Sequence, residues 1–166
     1  MKRIRTSIAL LVLLLAASTV AFADGKLLDT ERVGALRIGA SVLEVEKAMG
    51  GGPSRKDSVS KTDGGDWVQT WEYRRQGVVL LMAAPKKNDP PTLATITLEG
   101  ACKLATSRDI HLGSTDRDVH KAYAQDIDAE ASTPEIIVAG SLAEGGIIFT
   151  VEKGKVSRIF IGRPRH

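Results

Sequence analysis

Leu36-Arg37-Ile38-Gly39-Ala40-Ser41-Val42-Leu43-Glu44-Val45-Glu46-Lys47-Ala48-Met49-Gly50 recurs, in altered form, as Ile110-His111-Leu112-Gly113-Ser114-Thr115-Asp116-Arg117-Asp118-Val119-His120-Lys121-Ala122-Tyr123-Ala124. The offset is a constant 74 residues, from Leu36 to Ile110. Gly39, Val45, Lys47 and Ala48 find identical residues in the second copy, and Ser41/Thr115 and Glu44/Asp118 are like for like. In each copy a short apolar run stops at a glycine, a residue free to take turn angles. A hydroxyl residue follows, with an acid three positions on, the spacing of a capping box at a helix N-terminus. Val42, Val45, Ala48 and Met49 then form one helical stripe, and Gly50-Gly51-Gly52-Pro53 ends it. Gly39, Ser41 and Glu44, with Gly113, Thr115 and Asp118, are accordingly read as structural helix caps.

Strand patterns follow each helix. Trp67–Arg74, Val78–Ala83 and Leu93–Leu98 serve the first copy; Ile136–Ala139, Ile147–Val151 and Val156–Ile161 serve the second. Gln76-Gly77 and Lys153-Gly154 are turn signals between them. The expected fold is therefore α+β: two tandem units, each a capped helix or helix pair packed on a three- to four-stranded antiparallel sheet. Their expected bounds are 24–101 and 102–166, after a leader at 1–23.

The capped-helix pattern, the Gly-Pro break, Trp71-x-Tyr73 and the closing strand with Ile96 resemble the SmpA/OmlA-like unit. The tandem arrangement is similar to that of the beta-lactamase inhibitory protein (BLIP-like) family. The second copy has Ile136-Ile137-Val138 near the place of the Trp-x-Tyr element. The single cysteine departs from that family's disulfides, and Asp24 stands where a lipoprotein would carry its cysteine. The resemblance implies a sheet surface that holds a partner protein, with enzyme inhibition or envelope assembly as the associated roles.

The leader explains the net charge. The chain of 166 residues carries 23 Lys+Arg against 20 Asp+Glu, a net +3. Lys2, Arg3 and Arg5 account for that surplus, since no acid precedes Asp24. With Ile8–Ala17 as an apolar core and Ala21-Phe22-Ala23 as a small-x-small cleavage site, residues 1–23 read as a secretory signal peptide. Ser18 and Thr19 interrupt the apolar run too early for a membrane span. Residues 24–166 are electrically neutral overall and in each half, so no surplus basic charge argues for nucleic acid or an anionic membrane as partner. The expected location is periplasmic or secreted, with no membrane anchor after cleavage.

Both tryptophans lie in Trp67-Val68-Gln69-Thr70-Trp71-Glu72-Tyr73. Alternation puts Trp67, Gln69, Trp71 and Tyr73 on one face. Aromatic anchors dominate interfaces, so this face is a candidate partner-binding site, with core packing of Trp71 and Tyr73 beneath the helix as the other reading. Trp67, at the start of the strand, is the member expected to be exposed. Lys86 and Lys87, in the proline-rich loop from Pro85 to Pro91, are the second candidates. Cys102 is the only cysteine, either a small buried core residue or half of a disulfide-linked dimer.

Catalytic and metal patterns are weak. His111, Ser114 and Asp118 supply the residue types of a triad, but they fall in one strand-turn-helix segment where Asp118 serves as a cap. Asp116 and His120 share a helical face without a third ligand, and Asp126-x-Asp128-x-Glu130 lacks the glycine and terminal glutamate of a calcium loop. The functional expectation is an exported non-catalytic protein-binding module that partners another envelope or secreted protein, with no cofactor. The alternative is a periplasmic small-ligand or metal-binding protein using the second helix.

Overall fold

The computed structural model describes residues 26–164, so the signal-peptide reading of 1–23 lies outside the described residues. Three short helices occur among them: α1 (Lys26–Thr30), α2 (Val42–Met49) and α3 (Asp116–Ala122). The strands are β1 (Arg55–Lys56), β2 (Ser60–Lys61), β3 (Trp67–Tyr73), β4 (Val78–Ala84), β5 (Thr92–Leu98), β6 (Ile136–Ser141), β7 (Gly145–Glu152) and β8 (Lys155–Gly162). Strand order is β1-β3-β4-β5-β8-β7-β6, with β2 also on β3, and every pairing is antiparallel.

The fold expectation needs correction. Of the described residues 39% are extended and 14% helical, a mostly antiparallel sheet protein rather than an α+β pair of capped-helix units. There are two physical reasons. α2 and α3 are only 8 and 7 residues long, about two turns each. Moreover, the two sheets are not separate: β5 and β8 pair from Thr95↔Gly162 to Leu98↔Ile159, making one eight-stranded sheet. A three-stranded half leaves the outer edge of its last strand unpaired, and joining two such edges satisfies both rows of backbone groups.

The two halves repeat each other's bonding. Ser41 accepts from the Glu44 amide while Glu44 accepts from the Ser41 amide at 2.7 Å; Thr115 and Asp118 do the same, at 2.9 Å for the return bond. Gly39 N donates to Leu93 O and Leu93 N to Ala40 O, at 2.7 and 2.8 Å. Gly113 N donates to Val156 O and Val156 N to Ser114 O, both at 2.8 Å. Each helix start is thereby tied to the strand of its own half that borders the other half, β5 or β8. Gly39 and Gly113, at φ 80° and 92°, supply the left-handed turn this requires.

The core lies on one face of the sheet. Trp71 and Tyr73 of β3, Leu80 and Met82 of β4, Ile96 and Leu98 of β5, Ile159 and Ile161 of β8, and Ile147 and Phe149 of β7 are fully buried there. Val45 and Met49 of α2, Val119 of α3, and Leu27 of α1 join them. α1 was not anticipated from the sequence. It packs on β7, and Glu31 just beyond it is only 3% exposed.

Candidate functional site

Strand register places Thr70, Leu81, Thr95 and Gly162 in one cross-sheet row, and Glu72, Val79, Thr97, Phe160, Ile148 and Val138 in the next. These rows point away from the core, because side chains alternate along each strand. None of them belongs to the core cluster beneath the helices, although Val138, Thr95 and Thr97 are themselves buried, at 1%, 7% and 6% exposure. Val79, Leu81, Ile148 and Phe160 stay half-buried, with no helix over them. An antiparallel sheet with one wet face ordinarily alternates apolar inward and polar outward. Here the outward positions at the centre are instead aliphatic, aromatic or threonine.

A shallow cavity of about 370 Å³ opens on this face, lined by Leu81, Thr95, Ile148, Thr150, Arg158, Phe160 and Pro164. Charged residues pair at the β3 edge of this face and at the end where β5 meets β8. Arg55 reaches Asp57 at 2.9 Å and Glu72 at 3.6 Å, Arg74 reaches Glu72 at 2.8 Å, and Arg158 reaches Glu99 at 3.8 Å. The Arg74 hydrogen bond and the two neighbouring guanidinium charges hold the Glu72 carboxyl below the usual range. An apolar centre with a polar, charge-paired rim is the layout of a protein interface.

Both sheet edges are closed by backbone bonds. Outside β6, Asp128 N donates to Val138 O at 2.9 Å and Gly140 N donates to Asp126 O at 2.7 Å. Outside β3 sit the two-residue strands β1 and β2, and Asp57 N donates to Thr70 O at 3.0 Å. A partner strand therefore finds no long free edge to extend, and the open face is the larger accessible surface.

The aromatic strand divides. Trp71 and Tyr73 are each 2% exposed and belong to the core. Trp71 Nε1 donates to Gln69 Oε1 at 2.8 Å, Gln69 Nε2 donates to Asp57 O at 2.8 Å, and the Tyr73 hydroxyl donates to Gly51 O at 3.2 Å. Lys56 Nζ sits 3.9 Å from the Trp71 ring centre. Trp67 is half-buried at the end of the row, with Lys87 Nζ 5.2 Å from its ring centre and Lys86 exposed nearby in sequence. Trp67, Gln69, Lys86 and Lys87 thus lie toward the sheet's outer corner, apart from the open face. Sequence reasoning missed Leu81, Ile148 and Phe160; the signal was β4 itself, whose Val78–Ala84 run is apolar on both faces.

The remaining candidates are engaged locally. Ser114 Oγ accepts from the His111 amide at 3.1 Å, and Asp118 is occupied by its cap, which lowers its carboxyl. Asp126 pairs with Arg108 at 2.6 Å, and Asp128 accepts from the Glu130 and Ala131 amides, both at 3.0 Å. Asp116 accepts from the Arg117 amide at 2.7 Å, while His120 is exposed. Among the described residues no three His, Cys, Asp or Glu side chains cluster as a metal site would. Cys102 is free and buried, and burial pushes its thiol up. No helix among the described residues is long and apolar enough to cross a membrane. No protein-family model, curated protein or solved structure matches the chain.

Proposed function

We propose that this chain is an exported, non-catalytic protein-binding module that holds an envelope or secreted protein against its open sheet face. One observation carries the reading: the outward positions Val79, Leu81, Ile148 and Phe160 are apolar where a solvated sheet face would be polar. The charge-paired rim and the closed edges support docking by the face rather than by strand addition. Resemblance to the BLIP-like family supports enzyme inhibition as the form such binding takes. The leader read at 1–23 supports export to a periplasm or beyond.

The test is in-envelope crosslinking of the chain expressed with its own leader. Leu81→Glu and Phe160→Glu should abolish a specific crosslinked partner. Trp67→Ala and the Lys86→Ala, Lys87→Ala pair should leave it in place. If the corner variants lose the partner and the face variants keep it, the binding site is the aromatic corner and the open-face assignment fails.

A further inference from the structure

We propose that a second copy of this chain seats on the open face, the two sheets stacking face to face. This rests on the reading of that face as a binding surface and names an occupant for it.

Area is the first argument. Six long strands make five spacings of ~4.8 Å, and strands of this length run ~24 Å at about 3.3 Å per residue. The flat footprint is therefore roughly 600 Å² per copy, or about 1,200 Å² for two, where specific stable interfaces begin. Side-chain relief at Leu81, Ile148 and Phe160 adds to that figure, while Thr95, Thr97 and Val138 already lie buried within the face.

Charge is the second. The rim holds Arg55, Arg74 and Arg158 against Asp57, Glu72 and Glu99, each sign matched in ion pairs. A two-fold interface sets one patch against itself, so a rim of one sign would repel. A matched rim does not. The long Arg158–Glu99 contact, 3.8 Å with both side chains at least half exposed, can be exchanged reciprocally between copies.

Shape is the third. Val79, Leu81, Ile148, Phe160 and the threonines between them are of the size that fills the ~10 Å gap between stacked sheets. The cavity of about 370 Å³ beside Phe160 has room for an aromatic side chain of the second copy. Cys102 takes no part, being only 4% exposed.

Sedimentation equilibrium of the purified chain, over a concentration series with reductant present, tests this. The expected result is the mass of two chains. Leu81→Glu and Phe160→Glu should each raise the dimer dissociation constant at least ~100-fold, because each buries an unpaired carboxylate. Leu43→Glu, on α2 and 78% exposed, should leave it unchanged. Methyl NMR of the unmodified chain gives the same answer without a variant: Leu81 and Ile148 signals should shift on dilution. A single-chain mass at every concentration overturns self-association, as does a dimer indifferent to both face variants. A monomer whose envelope crosslink is nevertheless lost in Phe160→Glu overturns the second copy and retains the partner reading. A dimer broken by the face variants, with no envelope partner captured, supports the second copy and removes that reading.

Discussion

The Tyr123 hydroxyl donates to the Glu31 carboxylate at 2.8 Å across 92 residues of chain, joining the segment after α1 to the end of α3. The same carboxylate accepts from Ser107 N at 2.7 Å, Ser107 Oγ at 2.5 Å and Arg32 N at 3.0 Å. A buried carboxylate with four donors is satisfied; one that loses its donors is costly. The first residues of the described chain are therefore held to Ser107 and the end of α3, in the second half of the chain, by a buried polar anchor.

Glu31→Ala should lower unfolding free energy by roughly 2–4 kcal/mol, since it strands the Tyr123 and Ser107 donors. Urea denaturation checks it. Tyr123→Phe should cost about 1–2 kcal/mol, removing one donor and keeping the ring. A Glu31→Ala change under about 0.5 kcal/mol would show that the anchor carries no stability.

Gly162→Ala should disrupt the joint between the halves. Gly162 lies opposite Thr95 at φ 136°, and a methyl group there would approach Ala94 O to 2.7 Å and Thr95 Cγ2 to 2.9 Å. A loss of at least ~2 kcal/mol is expected, with faster amide exchange along β5 and β8. Exchange confined to the β8 end would place the strain outside the joint.

Trp71→Ala should cost about 3–5 kcal/mol, as a large side chain removed from a packed core. Trp67→Ala should cost under about 1 kcal/mol. Equal losses at the two positions would contradict the division of β3 into a buried end and a surface end.

Alkaline stability should fall between about pH 10 and 12. Burial, with a smaller effect of the Glu46 charge, raises the Tyr73 phenol from 10.0 to about 12. The folded state thus binds this proton more tightly than the unfolded chain, so its contribution is complete below pH 10 and disappears as pH rises toward 12. Burial raises Tyr123 in the same direction. The double variant Tyr73→Phe, Tyr123→Phe should flatten the midpoint-against-pH curve in that window; an unchanged slope would exclude these phenols as its cause.

Much of the local structure is legible without coordinates. The capping boxes at Ser41–Glu44 and Thr115–Asp118 depend on groups three residues apart, and both form. The six long strands lie within about two residues of the apolar runs that announce them, because those runs carry their own period. α1, β1 and β2 were not legible. They are two to five residues long and depend on what they dock against.

What the sequence determined by itself is the inventory: two copies of a capped turn, six strands, and balanced charge over residues 24–166. Tertiary structure alone decided the rest. Alternation sorts Trp71 from Glu72 and Leu80 from Leu81, but with apolar residues on both sides of β4 it does not say which side the helices cover. Nor do two strand patterns declare that β5 and β8 will join, since that pairing depends on backbone edges meeting in space. The core, the open face and the single sheet all follow from that meeting.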